Sequence, residues 1–314
     1  MNPGALPPSV QLPADEAQQI RSLLDELGLP GIIDVHTHFM PDSVMAKVWA
    51  YFDAVGPLTG APWPIAYRGP EAERLTTLRE FGVERFTSLN YPHKPGMATW
   101  LNDWSTQFAG EHPDCIHSAT FYPEEGAAAY VEEAISQGAR IFKAHVQVGD
   151  YDPNDPKLNE VWGVLQDSQV PVVIHAGNGP APGTHTGPQG IQKLLRRFPN
   201  LCLVIAHLGL PEYDDFLRLS QQYPRVYLDT TMVFTDFTEA NHPFPSASRP
   251  LLLELSERIL FGSDFPNIPY CYSDALRAIT RLGFGDEWVR GVLRENAARL
   301  LGHVDGEGDV QLIK

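Results

Sequence analysis

The chain has 314 residues, 43% of them apolar, which is enough to bury a large core and excludes general disorder. Asp and Glu number 39 against 23 Lys and Arg, a formal net charge of −16, so neither a nucleic-acid groove nor an anionic membrane surface is expected as a main partner. A metal or a local cation can still reverse the field inside a cleft, which leaves a small anionic substrate open.

Residues 1–30 read as an N-terminal arm and helix. Pro3, Pro7, Pro8 and Pro13 make the arm, and Ala14–Leu27 has helical spacing, with Ile20, Leu23, Leu24 and Leu27 on one side and Gly28 and Pro30 as a stop. The arm carries no basic region followed by an apolar stretch, so it does not read as an export signal. Cys115, Cys202 and Cys271 lie far apart and form no CxxC pair, which suits a reducing compartment; the expected location is the cytoplasm. No apolar run approaches the roughly 20 residues needed to cross a bilayer.

Gly31–His36 is a short β-branched run that reads as a buried strand. Seven more follow: Val83–Leu89, Cys115–Phe121, Ala139–Val146, Val170–Ala176, Leu201–His207, Val226–Asp229 and Ile259–Gly262. Helical patterns lie between them, clearest at Glu71–Phe81, Trp100–Glu111, Glu125–Gln137, Leu158–Gln166, Gly190–Phe198, Pro211–Gln221 and Ser273–Arg281. Eight apolar strands with helical connections predict an α/β fold, a single-domain (β/α)₈ TIM barrel over 31–302 with an N-terminal helical extension and a C-terminal tail at 303–314. An open doubly wound sheet would require a glycine-rich turn after the first strand, and Asp34–Ser43 has none. Gly56–Pro70 and Thr230–Pro250 exceed normal connections and follow strands on the side where barrel enzymes keep their sites.

His36 and His38 stand two apart at the end of the first strand, so both imidazoles can face one point at the barrel mouth. Alone, such a pair is as readily incidental as functional. His175, His207 and Asp264 also close apolar runs, however, and five such groups at strand ends converge on one volume, as a metal or acid–base site requires. Lys143 and His145 share a face of the fourth strand. Lys143 could be a carbamate bridging two ions, an ammonium that binds substrate, a charge partner for Asp264, or a side chain turned outward under a helix. His93, His185 and His242 lie in loops that could touch substrate or water; His117 reads as a core residue or one that supports the site from behind, and His112 as structural or solvated. Trp49, Tyr51, Trp63, Tyr67 and Arg68 could wall a pocket with one cationic corner, or pack a long loop internally.

The motifs IDVHTHF, IFKAH, VVIHAG, VIAHLG, ILFGSDFPN and RENAARLLG, in that order, resemble the amidohydrolase superfamily, most closely its branch of metal-dependent decarboxylases, lactonases and hydratases. The resemblance spans about Gly31 to Gly302 and names no substrate. It implies one divalent ion, zinc first and manganese or iron as alternatives, held by His36, His38, His175 and Asp264. It implies that His207 sits beside the activated water as a base or an electrostatic group, with Lys143 at a position that is carbamylated in binuclear relatives. Asp264, His207 and Lys143 are then the catalytic candidates, and Arg68, Trp63, Tyr67, His93, His145 and His185 the substrate-binding ones. Gly209, beside His207, would leave room for substrate to approach. The expected activity is hydrolysis of a small carboxylated or cyclic (lactone or amide) substrate by a metal-activated water. Non-oxidative decarboxylation of an aromatic or unsaturated acid is the rival, and an inactive metal-binding scaffold the third reading. The expected partner is a small molecule, with a homodimer left open.

Overall fold

The computed structural model describes residues 10–59 and 62–302. The start of the arm, at 1–9, and the tail at 303–314 lie outside the described residues.

The strands are β1 Ile32–Asp34, β2 Val83–Thr87, β3 Cys115–Ile116, β4 Ser118–Thr120, β5 Ile141–His145, β6 Val172–His175, β7 Leu203–Ile205, β8 Val226–Asp229 and β9 Ile259–Leu260. All pair in parallel, each with its neighbour in sequence; β3 and β4 are one barrel strand interrupted at His117, the first half paired with β2 and the second with β5. The circle closes between the last strand and the first: the Val35 N–H donates to Phe261 O at 3.0 Å, and Thr37 bridges Phe265. The fold is therefore the expected (β/α)₈ barrel with an N-terminal helical extension.

Alternation along each strand divides the core in two. Ile33, Val35, Ile141, Val173, Val204 and Leu260 fill the barrel interior, closed off by Ala297 and Ala298 of the last helix, Asn296–Leu301. Phe142, Val172, Ile174, Leu203, Ile205 and Leu228 point the other way, into the helical layer. On β5 the interior face reads Ile141, Lys143, His145, so the barrel axis turns from apolar to polar toward the strand ends.

Helix α1 (Glu16–Leu27) buries Ile20, Leu24 and Leu27, and Gly28 ends it at φ 65° with its N–H on the Leu24 and Asp25 carbonyls. The region after β1 departs from expectation. Helix α2 covers Asp42–Thr59, so the first part of the segment read as a long Gly56–Pro70 loop is helical. The apolar spacing of Val44, Val48, Phe52 and Val55 carries it past Gly56, which on its own reads as a stop. The second long connection also contains structure: helical turns at Asp236–Glu239 and Ser246–Ser248, then a helix at Arg249–Glu254.

Candidate metal centre

The strand ends deliver their polar groups to one cavity of about 710 Å³ at the barrel mouth. Its buried end holds His36, His38, Lys143, His175, His207 and Asp264, and His145 lines it from the end of β5. His36, His207 and Asp264 each offer a ligand atom, and these atoms lie within 4.8 Å of one another.

Each of three histidines has its Nδ1 engaged by an acceptor. His36 Nδ1–H donates to Asp229 Oδ2 at 2.9 Å, His38 Nδ1–H to Leu89 O at 2.8 Å, and His207 Nδ1–H to Thr231 O at 3.2 Å. This fixes the tautomer and leaves Nε2 as the lone-pair nitrogen, the arrangement that orients histidine ligands in metal sites. In neutral His38 the Nε2 lone pair faces Asp264 Oδ1 at 2.9 Å, and His36 Nε2 lies 3.5 Å from the same oxygen. Acceptors crowded in this way are satisfied by a cation. The Lys143 ammonium supplies one such charge, with Nζ 2.9 Å from His36 Nε2. The nitrogen and oxygen donors present thus fit a divalent ion.

The electrostatics agree with neutral imidazoles around a carboxylate. Burial, reinforced by Lys143, lowers His36 to about 4; burial lowers His207 to about 4; burial, then His207 and Lys143, lowers His175 to about 3. Burial brings Lys143 down to about 8 against the pull of Asp229 and Asp264. The Asp264 carboxyl lies well below its usual range against the upward effect of burial, so it stays an anion among these imidazoles.

Two ligand candidates sit on strained backbone. His207 has φ 57° and Asp264 φ 72°, the left-handed region that non-glycine residues rarely adopt. The His207 N–H donates to Asp229 Oδ1 at 2.8 Å, and the Asp264 N–H to His36 O at 2.8 Å. Gly262 lets the last strand lie against the first: a Cβ there would stand 2.2 Å from Thr231 Oγ1 and 2.7 Å from His36 Cβ.

The remaining candidates divide. His175 donates Nε2–H to Gly179 O at 2.8 Å and stacks on His145 at 4.2 Å. Trp63 walls the cavity, its Nε1–H on Asn267 O at 2.7 Å, and His93 and His242 line it from loops. Tyr67, Arg68 and His185 are not among the lining residues. Tyr67 is buried with its hydroxyl on the Glu16 carboxylate. Arg68 is spent on Asp53, 2.7 Å away, and on the Trp49 ring. His117 bonds Thr106 Oγ1 instead of entering the core. The space beside Gly209 is filled by Phe216, whose Cδ2 would lie 1.9 Å from an added Cβ, so that glycine serves packing and not substrate access.

Two carboxylates escaped the sequence reading. Asp229 ends β8 and holds both the His36 imidazole and the His207 backbone. Its position at the end of an apolar run is the same signal that marked His175 and Asp264. Asp34, fully buried behind His36, accepts from Tyr272 Oη at 2.9 Å and from the Ser263 N–H at 3.1 Å; burial, partly offset by these bonds, raises it to about 7.

Solved structures share this architecture. An uncharacterized TIM-barrel protein from Bordetella bronchiseptica superposes with TM-score 0.66 at 20% identity, over 86% of this chain and 98% of that one. A 2,6-dihydroxybenzoate decarboxylase bound to 2,6-dihydroxybenzoate gives 0.65 at 17%, over 87% and 99%. A candidate 2-pyrone-4,6-dicarboxylic acid hydrolase from Pseudomonas putida gives 0.58 at 17%, over 87% and 97%. At these identities the likeness is one of fold. No curated protein matches the chain. The amidohydrolase family's sequence model, by contrast, matches residues 33–303, a stretch that runs from within the first barrel strand past the last and takes in every ligand candidate at their ends; the chain belongs to the amidohydrolase family.

Proposed function

We propose that the protein is a metal-dependent hydrolase acting on a carboxylated or cyclic carbonyl substrate. The observation that carries this reading is the set of histidines whose Nδ1 atoms are tied down so that their Nε2 atoms meet at the Asp264 carboxylate. His36, His38, His175 and Asp264 would hold one divalent ion, zinc first. When bound, the ion supplies Lewis-acid polarisation of a carbonyl and acidification of water. His207, with Nδ1 fixed on Thr231 O, presents a basic Nε2 that accepts the proton of the attacking water. Asp264 shares that task and returns the proton to the leaving group. Lys143, buried beside His36, offers a positive charge to substrate oxygen.

The compactness of the His36, His207 and Asp264 donors supports a second ligand set, in which His207 takes the place of His175. Metal analysis of His175→Ala and His207→Ala decides between them. The reaction itself is tested with lactones, amides and aromatic carboxylic acids, assayed for both acid release and CO₂. Acid release without CO₂ supports hydrolysis; CO₂ without acid release rejects it in favour of decarboxylation. The expected setting is cytoplasmic, with 31–302 as the catalytic unit; no helix among the described residues is long and apolar enough to cross a membrane.

A further inference from the structure

We propose that the substrate's reacting end carries a long apolar substituent, an alkyl or acyl chain, which runs out of the cavity along α2 and over the barrel mouth. The proposal rests on the buried histidine cluster being the reacting end, and concerns what lies above it.

The first observation is a rail. Val44, Val48, Tyr51 and Phe52 of α2 all line the cavity. Their spacing places them on one helix face, and eight residues of rise extend that face by roughly 12 Å. Met97 and Trp100, at the start of the helix Ala98–Glu111, line the same cavity, as do Trp63 and Phe237. A cavity of about 710 Å³ stands in the upper part of the range that encloses drug-sized ligands.

The second observation is a collar. Among the described residues five large apolar side chains are exposed, and three of them line this cavity: Tyr51 at 48%, Trp100 at 45% and Val148 at 40%. They come from separate connections, after β1, β2 and β5. Single exposed apolar residues need no explanation, but apolar residues gathered from three connections around one opening mark a binding surface. Lys47 and Lys94 line the cavity beside them, both exposed, and lysine stems extend apolar surface while the ammonium stays in water. Because this surface continues inward to the histidines, its occupant is a ligand that starts at the buried end.

The test is calorimetric titration of the metal-loaded full chain with butanoate, hexanoate, octanoate, decanoate and dodecanoate. Kd should fall by up to about fourfold for each methylene that leaves water. Trp100→Ala and Val148→Ser should each weaken the two longest acids by roughly tenfold, the effect of one or two methylenes left in water, and leave butanoate unchanged. A Kd constant from butanoate to dodecanoate overturns the proposal. So does a variant that weakens butanoate as much as dodecanoate. A flat series together with a dimer that Trp100→Ala dissociates would make the collar a contact between two copies, and also overturns it. Binding needs no turnover, so a chain-length gradient with no hydrolysis would leave the tail subsite standing and remove the hydrolase reading alone.

Discussion

Replacing Asp229 with asparagine keeps the side chain's size and removes one acceptor and the charge. In the native site Oδ1 accepts the backbone N–H of His207 at 2.8 Å and of Thr231 at 3.1 Å, while Oδ2 accepts His36 Nδ1–H at 2.9 Å. An asparagine has one oxygen for these three donors. If the oxygen serves the two backbone groups, its NH₂ meets His36 Nδ1, and the imidazole must move its proton to Nε2. The opposite amide orientation strands two buried N–H groups at about 1–3 kcal/mol each, so the tautomer change is the cheaper response. His36 Nε2, the atom aimed at Asp264 and Lys143, would then carry a proton and could not bind a metal. Losing the outer partner of a ligating histidine costs about 10- to 100-fold in metal affinity, or roughly 1.4–2.7 kcal/mol. Competitive zinc titration against a chromophoric chelator near neutral pH measures this, with circular dichroism to confirm the fold. Zinc affinity within twofold of the native protein would refute the claim that Asp229 sets the His36 tautomer.

The other expectations concern the base, the packing and the pH response. His207→Asn should keep about one metal per chain while kcat falls by about 10² to 10⁴, whereas His175→Ala should lose metal as well as rate; metal analysis showing both sites equally empty would make His207 a ligand. Gly262→Ala places a Cβ against Thr231 Oγ1 and His36 Cβ, so it should destabilise by about 1–3 kcal/mol and weaken metal binding; an unchanged denaturant midpoint would show that the strands can part there. In the metal-free protein, stability should fall as pH drops below about 6.5, because unfolded histidines then take up protons that His36 and His207 refuse until about 4, and His175 until about 3. Each group contributes up to about 1.4 kcal/mol per pH unit, and Asp34, raised to about 7, opposes them with one proton that the native state binds more tightly. Denaturant midpoints between about pH 7 and pH 5 check the sign, and a flat or rising profile as pH falls would rule out neutral buried imidazoles.

The barrel was legible because burial on both faces writes its strands as short apolar runs, and because the polar residue ending each run is where the interior meets the mouth. The α2 helix was obscured by Gly56, although the spacing of Val44, Val48 and Phe52 was present. Arg68 looked like a free cation because its partner, Asp53, sits on the preceding helix and is brought back only when the chain turns. Asp34 was hidden among apolar neighbours, and its hydroxyl partner Tyr272 lies 238 residues away. Asp229 obeyed the strand-end rule, closing the run Val226–Asp229, but its two partners, the His36 imidazole and the His207 N–H, lie 193 and 22 residues away. Pattern fixes which residues face inward; it does not say which of two acceptors a given imidazole will meet.

That last step depends on backbone that costs free energy to hold. His207 and Leu208, at φ 57° and 51°, and Asp264, at φ 72°, each cost on the order of 1–3 kcal/mol in such conformations. The bonds that offset this are also the ones that aim the site. Asp229 takes the His207 N–H and the His36 imidazole together, and His36 in turn receives the Asp264 N–H on its carbonyl. The Leu210 N–H on His207 O and the Asn267 N–H on Asp264 O close the two turns behind the strand ends. Strand β1, the end of β8 and the turns after β7 and β9 are therefore tied through one carboxylate and one histidine. The geometry of the candidate ligands is consequently inseparable from closure of the barrel at the seam between its last strands and its first, and a change at that seam reaches the chemistry without touching substrate.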